Sequence, residues 1–263
     1  MKKYWLIFSN TVQTSAQYRV SLVSSIIGEG MSLVVLAYLW YSIYQQGNKI
    51  GTYSLSALVI YYAITRAIGL IIYSGDIGRT VGRSIELGSF SAFLLQPINF
   101  MFRHFAATLA TASYRIIIFS AVGLLPIIYY WHFIIARLDK IILSLLLIFL
   151  GFVIYFLMFY SVGLAAFFIG SSMGPGLFLY SVYNVFSGRL IPIDLLPGYV
   201  KTIADWLPFK YSLFSPLALW QQAQPLSFFL HEALFALVWI GVLLLVSKLL
   251  YYRGLKSYEA FGN

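Results

Sequence analysis

The stretch between Lys140 and Arg189 contains no charged residue, and it constrains the fold of this chain more than any other feature. At a rise of about 1.5 Å per residue, one helix over this stretch would be more than twice as long as the ~30 Å hydrocarbon core of a bilayer. Helix-breaking residues lie near its middle, in the cluster at 170–176, GSSMGPG. We therefore predict two membrane-crossing helices, one ending near Phe168 and one beginning near Leu177.

The composition of the whole chain agrees with a protein surrounded by lipid. Of its 263 residues 61% are hydrophobic and 10% are charged, and the mean hydropathy is +0.86. A soluble domain usually carries about 25% charged residues, so these charges are too few to cover a water-exposed surface. The net charge of +9 fits the positive-inside bias of membrane proteins better than it fits nucleic-acid binding. The absence of cysteine excludes disulfides and thiolate metal sites.

Four further apolar segments complete the predicted fold, which is all-α: a polytopic membrane bundle of six transmembrane helices in a single domain, 1–263. The first, second, third and sixth spans are predicted at 20–44, 55–73, 105–130 and 228–250. Residues 1–19 are too polar to cross a bilayer, but their apolar residues recur at helical spacing. We predict an N-terminal interfacial helix there, with a flexible terminus as the alternative. The distribution of basic residues places both termini in the cytoplasm.

The connection at 75–92 follows the second span and is therefore predicted to be cytoplasmic. It can form a short helix with a capping residue and two faces: Asp76 as the cap, an apolar stripe of Ile77, Val81 and Ile85, and a charged stripe of Arg79, Arg83 and Glu86. Such a helix is suited to dock into a groove on a cytoplasmic partner, and a solvated loop is the alternative. Residues 78–84 lack the spacing and the lysine of a phosphate-binding loop, so we predict no nucleotide site.

The connection at 189–224 lies between the fifth and sixth spans and is predicted to be external. Its prolines forbid one continuous helix, yet the segment is rich in Leu, Ile, Phe and Trp. We predict short helices at 198–206 and from an N-cap at Ser215 to about residue 223. Together they form a re-entrant hairpin that dips into the outer leaflet, and a loop lying flat on the lipid headgroups is the alternative.

Three charged residues fall inside the first three predicted spans, namely Glu29, Arg66 and Arg115. Each costs about 2.5–3.5 kcal/mol at the centre of a membrane helix when it is unpaired. Counted along the helices, their depths agree, so we predict a Glu29–Arg66 pair with Arg115 nearby that ties the first three spans together. The alternative is an ion relay in a secondary transporter that uses Glu29 and Arg66. The histidines at 104, 132 and 231 fall on different sides of the membrane and predict no metal site.

Several motifs, taken in this order along the chain, resemble the membrane subunit of type-2 ATP-binding-cassette exporters. They are GRSIELG at 82–88 and LLQP at 94–97 after the second span, then IPIDLLP at 191–197 and WLPF at 206–209 before the sixth. The likeness covers nearly the whole chain. Within that family the chain is similar to the short permeases that are encoded apart from their ATPase.

This resemblance implies a non-catalytic permease of an ATP-driven exporter in the cytoplasmic membrane of a prokaryote. Two permeases, as a homodimer or a paralogous heterodimer, would pair with two ATPase subunits, which carry the ATP and Mg²⁺. No cofactor is expected on this chain, and no nucleic acid. The helix in 75–92 is expected to engage the ATPase, and the substrate path to lie between the two permeases. An external gate is expected to include Pro192, Pro197, Trp206 and Pro208.

Overall fold

In the computed structural model the described residues are 2–17, 19–45, 53–73, 76–129, 138–222 and 224–260, and of 19, 119–129, 138, 259 and 260 the backbone alone is described. The predicted segments 1–19, 75–92 and 189–224 and the predicted span 105–130 each include residues outside this description, as does the prediction for His132. The described residues form helices, turns and loops, and no strand. The all-α prediction is therefore confirmed for this part of the chain.

Twelve α-helices occur in the described residues. They are α1 (Lys2–Gln17), α2 (Arg19–Gln45), α3 (Leu55–Ile72), α4 (Ile77–Glu86), α5 (Phe90–Leu94), α6 (Phe100–Tyr129), α7 (Leu138–Leu164), α8 (Ala166–Ile169), α9 (Met173–Phe186), α10 (Gly198–Trp206), α11 (Phe214–Gln221) and α12 (Leu226–Ala260). Because helices satisfy their backbone hydrogen bonds internally, this architecture suits a lipid environment.

Four helical stretches in the described residues are long and apolar enough to cross a membrane. They are Val20–Gln45, Leu55–Glu86, Asp139–Ile169 and Leu226–Tyr258. They cover the predicted first, second, fourth and sixth spans. The predicted third span lies in α6, whose side chains from 119 onward are outside the description, and the predicted fifth lies in α9. With 14 residues, α9 is about 21 Å long and shorter than the hydrocarbon core.

Helix α7 lies at the centre of the bundle and packs against α4, α11 and α12. Its second half is apolar on nearly all sides, and the side chains of Phe156, Leu157 and Tyr160 are at most 2% exposed. A helix that is apolar all round is expected in the interior of a bundle. A hydrogen bond of 2.8 Å between the hydroxyls of Ser161 and Ser247 attaches α7 to α12.

Helices α1 and α2 lie at the edge of the bundle. Helix α1 packs along α6, where the backbone N–H of Asn99 donates to the Tyr4 hydroxyl at 3.1 Å. None of the side chains of α1 is buried. Helix α2 packs mainly on α3, and most of its surface is exposed.

Prolines divide the segment 190–222 into four short helical pieces: the 3-10 helices Ile193–Leu195 and Pro208–Ser212, and helices α10 and α11. The helix predicted over 198–206 is confirmed. The predicted N-cap at Ser215 is wrong, because α11 begins one residue earlier, at Phe214. The Ser215 hydroxyl donates instead to Glu232 on α12 at 2.5 Å.

Candidate functional site

Helix α4 begins directly after its predicted capping residue. The Asp76 carboxylate accepts a hydrogen bond from the backbone N–H of Arg79 at 3.3 Å, which satisfies one of the free donors at the helix start. The helix ends at Glu86, before Gly88, whose φ of +72° is in the left-handed region that glycine tolerates. A cap and a stop of this kind fix both ends of a short helix.

We expected the apolar stripe of α4 to face a partner, but it is buried within the chain. Ile77, Val81 and Ile85 are at most 6% exposed, and they are buried against α7 and its neighbours. Packing within the chain covers this stripe and removes its apolar surface from water, so a partner protein is not needed to cover it. The charged residues Arg79 and Arg83 are exposed. A docking partner can therefore contact the charged face of α4, while the apolar stripe anchors the helix.

Two glycines let α4 approach α7 closely. A Cβ atom added to Gly163 on α7 would lie 2.6 Å from the Cβ of Val81 and 2.8 Å from the carbonyl oxygen of Gly78. A Cβ atom on Gly78 would lie 3.2 Å from the carbonyl oxygen of Phe159. Small residues at such crossings are typical of helix packing in membranes.

We expect Gly163→Val to displace α4 and to lower the free energy of unfolding by about 1–3 kcal/mol, because the added side chain has no space. Unfolding of the purified protein by a denaturing detergent would measure this. Gly174→Val is the matched control, because nothing lies within 4 Å of a Cβ atom there. Equal stability of the two variants would contradict the tight crossing.

The carboxylate of Glu86 joins α4 to the start of α9. Its Oε1 accepts hydrogen bonds from the backbone N–H of Ser172 at 2.7 Å and from the Ser172 hydroxyl at 3.0 Å. Gly82 faces the same serine closely enough that a Cβ atom would overlap it. Glu86, which we assigned to the partner-facing stripe, therefore forms hydrogen bonds within the chain that connect α4 to α9.

A cavity of about 340 Å³ lies between α4 and α9. Asp76 and Arg79 line its α4 end, and Tyr73 and Tyr180 line its walls. The remaining lining is largely apolar and aromatic, and includes Tyr155, Phe159, Met173 and Leu177. A cavity of this size and character is typical of a site for an organic molecule.

A buried charge cluster lies beside this cavity, and it contains the predicted pair. Arg66 Nη1 lies 3.2 Å from Glu29 Oε2, which joins α3 to α2. The other oxygen of Glu29 pairs with Arg189, which follows α9. Arg189 also donates to the Tyr180 hydroxyl at 3.1 Å, and its guanidinium lies over the Tyr73 ring at 4.4 Å. We refer to Glu29, Arg66 and Arg189 as the charge cluster.

Arg115, which we predicted to lie near this pair, forms a hydrogen bond with α3. Its Nη1 donates to the carbonyl oxygen of Leu70 at 2.7 Å, which ties α6 to α3. Arg189, rather than Arg115, is the second arginine that contacts Glu29, although we predicted that it lies outside the spans. The feature of the sequence that could have indicated this contact is the position of Arg189 at the end of the uncharged stretch that begins after Lys140.

The predicted gate residues lie on different pieces of the segment 190–222. Pro192 and Pro208 are buried, Pro197 is exposed, and the Trp206 side chain is 70% exposed. The carbonyl oxygen of Trp206 accepts a hydrogen bond from Trp239 Nε1 at 3.2 Å, which attaches α10 to α12.

Hydrogen bonds with α3 and with Tyr53 hold the two ends of this segment. The hydroxyls of Tyr61 and Tyr62 donate to the carbonyl oxygens of Gly188 and Leu190 at 2.7 and 2.8 Å. At the other end, the Gln222 amide donates to the carboxylate of Asp194 at 3.1 Å and to the hydroxyl of Tyr53, just before α3, at 2.9 Å. Burial, together with the nearby Asp194 carboxylate, raises the pKa of the Tyr53 hydroxyl.

A second buried ion pair joins the segment 190–222 to α12, and we did not predict it. Lys210 Nζ lies 3.0 Å from Glu232 Oε1, and the Ser215 hydroxyl donates to the other oxygen of Glu232. The side chains of Lys210 and Glu232 are 8% and 3% exposed. Glu232 falls inside the predicted sixth span, so its intramembrane charge was the signal that we missed.

We expect Lys210→Met to lower the free energy of unfolding by about 3–5 kcal/mol, because it leaves the buried Glu232 carboxylate without a counter-charge. The double variant Lys210→Met/Glu232→Leu should recover most of this loss, because it removes both charges. Denaturing-detergent unfolding of the single and double variants would measure the coupling. Additive losses would show that the two residues do not act as a pair.

The two described histidines lie in different surroundings. His104 on α6 is buried against Phe100, with ring centroids 4.5 Å apart, and His231 on α12 has a largely exposed side chain beside Glu232. Within the described ranges, no group of three or more His, Asp or Glu side chains is placed to hold a metal ion.

The apolar helices and the ion pairs buried between them define a multi-pass membrane protein. Residues 31–262 match the family model described as ABC-2 family transporter protein. The chain therefore belongs to the ABC-2 family and is a permease of an ABC transporter, which confirms the resemblance noted in the sequence. No curated protein matches the chain.

Proposed function

We propose that this permease is the membrane subunit of an ATP-driven exporter. In this proposal, a separate ATPase subunit, which carries the ATP and Mg²⁺, binds the charged face of α4. The observation that carries the proposal is that the two faces of α4 differ in exposure. Its apolar stripe is buried, while Arg79 and Arg83 remain exposed. A rigidly anchored helix with an open charged face is suited to receive force from a partner with an acidic surface.

The contacts of α4 give a route from the ATPase to the substrate path. Glu86 links α4 to α9 through Ser172. Both helices contribute residues to the cavity of about 340 Å³, among them Arg79 and Tyr180. In this proposal, closure of the ATPase subunits moves α4, and α9 then moves with it and changes the shape of the cavity.

The proposed topology has six spans, formed by α2, α3, α6, α7, α9 and α12, with both termini in the cytoplasm of a prokaryote. Supporting it, the Ser144 hydroxyl near the start of α7 donates to the Pro216 carbonyl oxygen at 2.9 Å, while Phe159 near the end of α7 lines the cavity beside α4. Helix α7 therefore separates α4 from the segment 190–222. We assign this segment as an external re-entrant hairpin that shapes the exit gate.

A second permease, identical or paralogous, completes the substrate path in this proposal. The support is the open position of α2, which packs mainly on α3 and leaves most of its surface uncovered. Glu29 lies on this helix and is 19% exposed. A second subunit against α2 would therefore place the charge cluster close to the path between the two permeases.

Purification of the tagged chain at its native expression level tests this function. We expect an ABC ATPase to co-purify in equimolar amount, and we expect vesicles containing the complex to transport only when ATP is supplied. An ion-coupled secondary transporter that uses Glu29 and Arg66 would instead work without any ATPase. Recovery of the chain alone, with transport driven by an ion gradient, would overturn the proposal.

A further inference from the structure

The charge cluster carries one positive charge in excess. It contains the guanidinium groups of Arg66 and Arg189 and only one carboxylate, that of Glu29. The other described carboxylates are at different places in the fold: Asp76 and Glu86 on α4, Asp139 at the start of α7, Asp194 and Asp205 in the segment 190–222, and Glu232 at Lys210. Among the described residues, one carboxylate therefore faces two buried cations.

Both arginines retain unused donors. The Nε atoms of Arg66 and Arg189 are buried and have no hydrogen-bond partner among the described residues. The two side chains are 8% and 5% exposed. A buried donor without an acceptor is costly, and a buried cation without a counter-charge is more so. An anionic group close to Arg189 would provide the missing charge.

The cavity between α4 and α9 adjoins this cluster, although Glu29, Arg66 and Arg189 are not among the residues that line it. Tyr73 and Tyr180 line the cavity, and the same two residues contact the guanidinium of Arg189. Arg79 and Asp76 also line the cavity, and their charges are opposite. The excess positive charge therefore lies behind Tyr73 and Tyr180, and the rest of the lining is largely apolar and aromatic.

We propose that this cavity binds an amphiphilic anion, with its carboxylate or phosphate group at the Tyr180 hydroxyl, behind which Arg189 lies, and its apolar body along Tyr155, Phe159 and Leu177. The proposal rests on the proposed function, because it names the class of substrate that the permease moves. The anionic group is held by charge-assisted hydrogen bonds, and the body is held by burial of apolar surface. Glu29 lowers the attraction for the anion, so that the ligand can also leave.

Binding of a matched pair of probes to the purified full-length protein in phosphatidylcholine nanodiscs tests this site. The probes are a fluorescent dodecanoic acid and its uncharged primary amide, followed by fluorescence polarisation. We expect the acid to bind about tenfold more tightly than the amide. A second set of nanodiscs containing phosphatidylglycerol asks whether an anionic lipid competes for the site and is therefore a source of the same chemistry.

Four variants decide which residues are responsible. Arg189→Gln should remove the preference for the acid, and Arg189→Lys should keep most of it. Glu29→Gln should tighten binding of the acid several-fold without changing binding of the amide, because it leaves two positive charges uncompensated. Arg103→Gln, on α6, is the control and should keep the wild-type preference. If Arg189→Gln does not fold, the lysine variant and Glu29→Gln carry the test.

Equal binding of the acid and the amide to the wild-type protein would overturn the site, and so would weaker binding of the acid to Glu29→Gln. The assay contains no ATPase. Loss of acid binding would therefore reject the site alone, whereas failure to recover an ATPase with the chain would reject the proposed function alone.

Discussion

The double variant Arg79→Glu/Arg83→Glu is expected to lose its ATPase. Reversing both charges on the exposed face of α4 places like charges opposite the acidic surface that we propose on the ATPase. Such an arrangement costs several kcal/mol, so the affinity should fall about 100-fold or more. Because both side chains are exposed, the permease itself should fold normally. The measurement is the amount of ATPase recovered with the tagged chain, together with ATP-driven transport in vesicles.

The matched control for this prediction is Arg253→Glu/Lys256→Glu, which changes the net charge equally on exposed residues of α12. This variant should retain the ATPase. If the α4 variant kept its ATPase and the α12 variant lost it, the assignment of α4 as the coupling helix would be wrong.

Glu29→Gln is expected to lower the free energy of unfolding by about 3 kcal/mol. The substitution leaves Arg66 and Arg189 buried without their common counter-charge, and breaking a buried pair typically costs 3–5 kcal/mol. The partial exposure of Glu29 favours the lower end of this range. Denaturing-detergent unfolding and the amount of protein inserted in membranes would both report the loss.

Glu29→Asp is the matched control, because it keeps the charge and shortens the side chain by one methylene group. We expect it to be intermediate in stability between the wild type and Glu29→Gln. An unchanged stability and abundance of Glu29→Gln would show that the cluster does not tie α2 to α3 and to the chain after α9. An amphiphilic anion should stabilise Glu29→Gln more than it stabilises the wild type, because ligand binding adds to the stability of the folded state.

Regular features of the sequence predicted local structure well. The pattern within 75–92 predicted a short helix capped by Asp76, and α4 has that cap and extends from Ile77 to Glu86. The same pattern could not say what covers the apolar stripe. Periodicity shows which residues share a face, whereas the neighbour of that face depends on tertiary packing. The close crossing at Gly163 is the contact that decides this.

The charge cluster was predictable only in part. Depth counted along two helices brought Glu29 and Arg66 to the same level, because the helical rise is constant. Arg189 follows a turn at Gly188, where φ is +84°, and counting along a helix cannot predict the direction of the chain after such a turn. For Arg115, the depth counted along the helix predicted a position near the pair, but depth does not show which neighbour a side chain reaches.

The second ion pair was missed for a related reason. Lys210 lies in a proline-broken segment without a helical period, so the position of its side chain relative to α12 could not be predicted. Glu232 lay within a predicted span. The free-energy cost of an unpaired carboxylate in lipid indicated that it has a buried partner. An intramembrane carboxylate of this kind identifies a contact, and the structure is needed to name the partner.

Site-specific crosslinking tests the central claim most directly, because the chain contains no cysteine and needs no background substitutions. Arg83→Cys on α4 and Lys201→Cys on α10 would each be labelled with benzophenone maleimide, in membranes where the chain and its ATPase are made from their native genes. We predict a covalent adduct with the ATPase from position 83 and none from position 201. An adduct from position 201 alone would place the ATPase at the opposite end of the bundle and contradict the account.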